Sequence, residues 1–444
     1  MPTSRRLTAL AIARAMQSGR PTVRAIVARI GICLGAKASW SRALAERFCQ
    51  MPAERRARLS IRALASVVEL DAGYQEASRG EEPLVVRRYF LRENATLGAL
   101  PLGLHHCQIP NWPNSAALAQ WLGITNAGLW RLTRPSAWQR RASLGEQHYR
   151  FRLFAKPSGG WRLLEVPHPY LMPLQRRVLD DLLDRVPPHG AACGYTRERS
   201  VLTHARAHVG KAVVLRFDLQ DFFPTVRASR VHALFVTLGY PDDVARALTA
   251  LCTTATPEPV LRRMYEEGNL QWHQLQRLRD PHLPQGAPTS AALANLCCFR
   301  MDLRLEGLAH SLGARYTRYA DDLVISGEHG LQNARARIES IVAGIVADEG
   351  FRMNFRKTRC LSSGRRQTVC NIVVNRLPNL PRDEFDNLKA ILHQCVRHGP
   401  TSQNRESKVQ WREHLQGRVA WAAQVNPSKA QRLIRLLDAI DWTR

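Results

Sequence analysis

Through the first 80 positions Ala, Leu, Ile and Val alternate with Arg at helical spacing, a pattern that predicts several short helices. From Ala77 to Pro113 frequent Gly and Pro predict a connector with a short strand or helix inside it. Helical spacing returns in SAALAQWLGITNAGLWRLT, which starts at Ser115, the expected N-cap, and is broken once by a Gly. This stretch reads as a small helical cap on the following domain, with a helix-turn-helix as the alternative. Tyr149 to Pro167 then changes to period two, YRFRLFAK and WRLLEVP around Ser158-Gly159-Gly160, and predicts a β-hairpin flanked by Lys156 and Arg162. A helix is expected from Pro173 to about Arg185.

Further on, Ala212 to Phe217 is apolar and partly β-branched except for Arg216, and predicts a largely buried strand that ends on Asp218. In YTRYADDLVISG, Tyr316 to Gly327, two β-runs flank Ala320-Asp321, so a hairpin should present Asp321 and Asp322 at its tip. Between these segments lies HLPQGAPTSAALANL, a Pro-Gln-Gly turn leading into an Ala/Leu-rich helix that Thr289 or Ser290 can cap. From about Pro381 the chain reads as a helical bundle with basic faces. There is no internal repeat and no low-complexity tract.

Charge changes this picture most. Sixty-four Lys plus Arg against 37 Asp plus Glu give a formal net charge of +27, a self-repelling field that a polyanion would offset. Nucleic acid is the first candidate, because each neutralised phosphate releases a counterion. The bias is strongest between Met1 and Arg62, where 13 basic residues meet only Glu46 and Glu54. That block faintly resembles an organelle transit peptide, but an RNA-binding helical segment has the same composition. Arg14 interrupts the only early apolar run, which argues against a secretory signal, and no stretch approaches the ~20 apolar residues of a membrane span. None of the ten cysteines forms a CxxC pair or a Cys/His metal spacing, so reduced thiols in a cytoplasmic protein are expected.

The acids carry the chemistry. A carboxylate at the end of a buried strand is costly unless paired or bound to metal. Adjacent Asp residues at a hairpin tip repel each other, and a divalent cation removes the conflict. Asp218, Asp321 and Asp322 are therefore the candidate metal ligands, of the oxygen type that magnesium prefers.

These motifs, in this order, resemble the reverse transcriptase superfamily, and within it the bacterial retron-type enzymes. The likeness runs from about Tyr149 to Trp442 and rests on KPSGGWR, LQRRVLDDLL, DLQDFFP, PQGAPTS, YADDL, NFRKT and LQGRVAWAAQVNP. It implies an α+β right-hand polymerase, with fingers over 113–209, palm over 210–378 and a helical thumb over 379–444, preceded by a basic helical extension over 1–112. It implies RNA-directed DNA synthesis from dNTPs, with two Mg²⁺ ions about 4 Å apart held by Asp218, Asp321 and Asp322. Phe223 would exclude a ribose 2′-OH, and Asp221 and Phe222 would lend backbone N–H groups to the triphosphate. Lys156 and Arg162 would clamp its outer phosphates. Gln285 would line the nucleotide pocket, Tyr319 and Ala320 would face the primer end, and Lys357 would protonate leaving pyrophosphate.

The implied partners are a structured non-coding RNA as template and primer and the cDNA product, in a cytoplasmic setting and in anti-phage defence. For the basic extension, RNA binding is the first expectation, with a protein effector or homo-oligomer contact as the alternative. Two elements depart from the retron pattern. NAxxH reads HARAH, with His204 in place of Asn, and VTG reads Val369-Cys370-Asn371. Both are associated with recognising the cognate RNA, so a solitary defence-associated enzyme with different priming is an alternative. A non-catalytic RNA-binding scaffold is disfavoured because all three acids are intact, and an rNTP polymerase because Phe223 is bulky.

Overall fold

The computed structural model describes residues 5–18, 21–52, 55–56, 59–80, 84–90, 103–134, 140, 145–155, 161–268 and 272–443. The chain divides into two compact units, one of residues 1–105, 111–131 and 235–248, the other of 106–110, 132–234 and 249–444.

In the first unit the Arg/apolar alternation becomes the helices Arg5–Gln17, Val23–Leu34, Ser41–Gln50, Ile61–Glu69 and Ala72–Arg79. Their apolar faces meet in a core of Ile12, Met16, Ile26, Ile30, Leu44, Phe48, Leu64 and Val68. Among the intervening basic residues, Arg24, Lys37, Arg42 and Arg62 are exposed. Thr22, Ser60 and Asp71 cap three of these helices with side-chain oxygens. The described part of the connector after Arg79 holds no strand or helix, and residues 81–83 and 91–102, over which a short element is also expected, lie outside the described residues. The helix expected from Ser115 runs Ser115–Leu122, but Asn114 is its cap, accepting from the Ala117 amide, while the Ser115 N–H goes to Asp243. Gly123, at φ 73°, closes it before the helix Asn126–Leu132.

The second unit contains the hairpin β1 (Tyr149–Ala155) and β2 (Trp161–Pro167), paired antiparallel from Tyr149↔Pro167 to Ala155↔Trp161. Its turn and Lys156 lie outside the described residues. The helix Met172–Asp181 follows, with a short 3₁₀ turn at Leu183–Arg185. The central element is a four-stranded antiparallel sheet of β3 (Val213–Asp218), β4 (Arg315–Tyr319), β5 (Asp322–Gly327) and β6 (Arg359–Ser362), in the order β4-β5-β3-β6. A small hairpin of β7 (Thr368–Val369) and β8 (Ile372–Val373) follows.

The C-terminal bundle is formed by Arg382–His398, Trp411–Val425 and Pro427–Asp438. Leu388, Leu392, Leu415, Val419 and Leu433 share one core with Val214 and Val324 of the sheet and with Val369 and Ile372. The sheet is therefore braced by apolar burial on the side of that bundle. No helix among the described residues is long and apolar enough to cross a membrane, and all ten cysteines are free.

Candidate active site

Register alone brings the acids together. β3 pairs with β5 so that Asp218 stands opposite Asp322, and Tyr319 of β4 pairs with the same Asp322. Ala320 turns the chain at φ 54°, so Asp321 falls at the hairpin tip, where its carbonyl accepts from the Leu219 amide at 3.0 Å. Burial, then the charge of Asp218, holds the Asp321 carboxyl above the ordinary carboxylate range. Burial also raises Asp322, against the opposing pull of Arg216.

Each flanking acid has partners. Asp218 accepts from Asn354 Nδ2 at 3.0 Å and from Lys357 Nζ at 2.9 Å, while its carbonyl accepts from the Asn354 amide at 2.7 Å. The NFRKT segment thus holds one carboxylate from the β6 side. Asp322 Oδ2 accepts from Arg216 Nη2 at 3.2 Å and from the Cys370 thiol at 3.4 Å. Arg216, the one polar break in an apolar strand, meets the half-buried Asp322 diagonally across the β3–β5 pair.

The tip rests on a buried ionic support. Arg318 and Asp302 are both fully buried and joined by two bonds, Nε to Oδ1 at 2.8 Å and Nη2 to Oδ2 at 2.7 Å. Arg318 also donates to Asn295 Oδ1 at 2.9 Å and to the Ala320 carbonyl at 3.2 Å, and Tyr316 donates to Asp302 at 2.8 Å. Burial works against the guanidinium charge, but Asp302 outweighs it and raises the Arg318 pKa. On the other side Cys193 donates its amide to the Arg318 carbonyl at 2.7 Å, and Asn295 donates to the Gly194 carbonyl at 2.8 Å. A Cβ at Gly194 would come within 2.9 Å of the Ala320 amide, so only glycine allows this approach.

The backs of β4 and β5 carry a second polar layer. His208 bridges the hydroxyls of Ser326 (2.6 Å) and Thr317 (2.7 Å), and His204 Nδ1 reaches Thr317 at 2.6 Å. Burial pushes the His204 pKa down to about 3, with Arg216 and Arg318 adding to the shift, and pushes His208 well below its usual value. The HARAH histidines are therefore neutral parts of the sheet's foundation.

The predicted nucleotide-side residues surround this centre. Asp221 adopts φ 44° ahead of the one-turn helix Phe222–Thr225, and its carboxylate accepts from Arg277 at 3.1 Å and Gln274 at 3.3 Å. Phe222 is buried, stacked on Phe351 with centroids 5.8 Å apart, whereas Phe223 is half-buried. Gln285 is half-buried, and its carbonyl accepts from the Glu165 amide of β2 at 2.9 Å. Gly286 follows at φ 132°, with the Glu165 carbonyl 3.2 Å from where a Cβ would be. Glu165 itself is buried, 3.0 Å from His282 Nε2, and accepts from Thr256 at 2.8 Å. Burial lowers the His282 pKa, but the Glu165 charge and hydrogen bond outweigh it, so the net shift is upward.

Neither Thr289 nor Ser290 caps the helix Ser290–Cys297 as expected. Thr289 makes no capping bond, and the Ser290 hydroxyl turns back to the Pro284 carbonyl at 2.7 Å, which closes the PQG loop instead. Tyr319 is half-buried between Tyr195 and His204, and Ala320 is buried. Arg162 is exposed on β2 opposite Phe154. Sequence reasoning missed Arg318, Asp302, Asn295, Asn354 and Gly194. Arg318, Asn295 and Asn354 each stood inside a quoted motif without a role of their own, and Asp302 and Gly194 stood outside every motif.

Comparison with known proteins agrees with this geometry. A family model described as reverse transcriptase (RNA-dependent DNA polymerase) matches residues 154–408. The retron Mx65 reverse transcriptase of Myxococcus xanthus is 39% identical over 336 residues, which cover 74% of this chain and 72% of that protein. The retron Mx162 reverse transcriptase of the same organism is 35% identical, covering 74% and 67%. The retron Ec86 reverse transcriptase of Escherichia coli is 30% identical, covering 70% and 88%. Among solved structures, telomerase from Candida albicans in complex with a fragment of telomeric RNA aligns over 71% of this chain and 59% of that one. The identity there is 10% and the TM-score 0.34. With the family model spanning more than half the chain and an antiparallel sheet carrying its three acids, the protein belongs to the reverse transcriptase family as a bacterial retron-type RNA-directed DNA polymerase.

Proposed function

We propose that this polymerase copies a cognate structured non-coding RNA into cDNA by two-metal-ion nucleotidyl transfer, with Asp218, Asp321 and Asp322 as the metal ligands. The observation that carries the reading is the convergence of three carboxylates at one end of β3 and β5. Two of them are raised by burial, so a cation there relieves a cost already present in the fold. An all-oxygen donor set suits magnesium. When bound, magnesium would polarise phosphate oxygens, activate the primer 3′-hydroxyl and neutralise charge on the leaving pyrophosphate.

The chain's own residues supply position and selectivity. Phe223 would lie against the incoming sugar and exclude a 2′-OH, and Gln285 would line the same pocket. The backbone N–H groups of Asp221 and Phe222, at the start of a helical turn, would receive phosphate oxygens. Lys156 and Arg162 would hold the outer phosphates by charge-assisted hydrogen bonds. Tyr319 and Ala320 would face the primer terminus. Lys357, beside Asp218, would give its proton to departing pyrophosphate. Residues 113–209 would act as fingers, 210–378 as palm and 379–444 as thumb.

The exposed arginines of residues 1–112 support RNA binding by the extension, in a chain of net charge +27. Kinship with retron enzymes favours synthesis in the bacterial cytoplasm, in the service of anti-phage defence. The altered HARAH and VCN elements favour an RNA and a primer unlike those of typical retrons. The test is incorporation of labelled dTTP on a primed poly(rA) template. Wild type should extend the primer only with divalent metal present, and Asp321→Asn and Asp322→Asn should not extend it. Equal extension by wild type and both variants would reject the assignment of the acids.

A further inference from the structure

The two elements that depart from the retron pattern are neighbours in space. His204, Asp322 and Cys370 each offer a donor atom, and the three donors lie within 4.8 Å of one another. The Cys370 thiol already donates to Asp322 at 3.4 Å. His204 is fully buried, with Nδ1 on Thr317 and Nε2 without a hydrogen-bond partner among the described residues. An unmet buried nitrogen costs about 1–3 kcal/mol, so this arrangement asks for an occupant.

Cys370 is also held in an unusual backbone. It lies at φ 46° and Asn371 at φ 63°, the two central residues of the β7–β8 hairpin. Such turns favour Gly, Asn or Asp, and a cysteine there is strained. The turn places its thiol beside the acid.

Nitrogen, sulfur and carboxylate oxygen form a zinc donor set, with bonds of about 2.0–2.1 Å to nitrogen and 2.3 Å to sulfur. In a tetrahedron these lengths put donors about 3.3–3.7 Å apart. Sulfur and carboxylate are already at that spacing, and the imidazole would close by at most about 1.5 Å. Magnesium rejects thiolate, so this donor set distinguishes the two metals.

We propose that His204 Nε2, Cys370 Sγ and Asp322 form a site for a thiophilic divalent cation, zinc by fit, which competes with catalytic magnesium for Asp322. The Cys370 proton leaves to solvent as the metal–sulfur bond forms, and a water completes the tetrahedron. Thiolate and carboxylate together offset the cation against the nearby Arg216 guanidinium. Only the competition rests on Asp322 serving the polymerase centre. Binding does not.

The full-length, metal-stripped protein decides it. Cobalt(II), as a zinc probe, should bind at one equivalent with a thiolate-to-cobalt charge-transfer band that Cys370→Ser abolishes and His204→Asn weakens. In wild type, which needs no variant to fold, zinc should protect Cys370 from iodoacetamide at least tenfold, read peptide by peptide by mass spectrometry. A band that persists in Cys370→Ser, or equal alkylation of Cys370 with and without zinc, overturns the site. For the competition, zinc should inhibit wild-type dTTP incorporation at concentrations at least tenfold lower than for Cys370→Ser, each relative to its own zinc-free rate. Magnesium should reverse the wild-type inhibition, and identical zinc sensitivity of the two proteins would overturn competition while leaving binding to the first two measurements.

Discussion

Asp302→Ala should damage the protein more than any loss of surface charge. The substitution leaves the Arg318 guanidinium, fully buried, without the carboxylate that meets it at 2.7 and 2.8 Å, and strips Tyr316 of its acceptor. Breaking a buried pair from one side costs about 3–5 kcal/mol, because the surviving charge stays desolvated. Replacing both partners by apolar residues of similar size, Asp302→Leu with Arg318→Met, should recover the charge-burial part of that loss, while Tyr316 and Asn295 stay without their partners. Activity should behave differently. Arg318 also holds the Ala320 carbonyl and Asn295, so the apolar pair restores the core and not the position of the acid tip. Misplacement of reacting groups by about 1 Å can cost 10²-fold in rate. Urea midpoints and kcat for dTTP incorporation, measured on wild type, the single variant and the double variant, separate the two effects. The expected pattern is a large midpoint drop for Asp302→Ala, partial recovery in the double variant, and kcat about 10–10²-fold down in both. A double variant with full stability and full kcat would show that the pair serves packing alone. A loss under about 1 kcal/mol for Asp302→Ala would refute the charge-burial argument itself.

Other outcomes follow from the same geometry. Phe223→Ala should lower the preference for dTTP over UTP by about 10–10²-fold, read as the ratio of kcat/KM values, with an unchanged ratio removing Phe223 from sugar selection. His208 takes up a proton in the unfolded chain below about pH 6.5 but resists protonation when folded, so its contribution to stability is present above 6.5 and lost as pH falls. His204 behaves likewise over the window from 6.5 down to about 3. Urea midpoints should therefore fall with acidification, and His208→Asn should flatten that slope. Replacing Arg24, Lys37, Arg55 and Arg62 by Ala should reduce the salt dependence of RNA affinity, by about 0.7 in log–log slope for each phosphate no longer neutralised. An unchanged slope would remove these residues of the extension from RNA binding.

Local pattern made much of this site legible. The apolar run ending in Asp218, the period-two segments around Ala320-Asp321 and the PQG turn each fold as their residues dictate. The hydrophobic spacing of the first 80 residues likewise gave helices. Caps were less legible, because they depend on competing partners. Ser115 spends its amide on Asp243 while Asn114 does the capping, and Ser290 closes a loop. The Arg318–Asp302 support could not be read, since Arg318 appears only as a polar position inside the YTRYADDLVISG hairpin and its partner lies on the preceding helix, in no signal of its own. Arg216 could be seen only as an interruption, and its reason, Asp322 on the neighbouring strand, needs the register. The meeting of His204 with Cys370 is of the same kind, because ligand spacing in sequence reveals only sites built from nearby residues.

Expressing the protein with its native neighbouring DNA and sequencing the nucleic acid that co-purifies, in parallel with Asp321→Ala and Asp322→Ala, tests whether these acids copy a cognate RNA. One structured RNA is expected in all three preparations, and complementary DNA, joined or primed at a defined site, in wild type alone. DNA of the same sequence and amount in the variants would contradict the role of the acids. Wild-type protein that carries neither a discrete RNA nor its DNA copy would contradict the claim that this polymerase works on a cognate RNA.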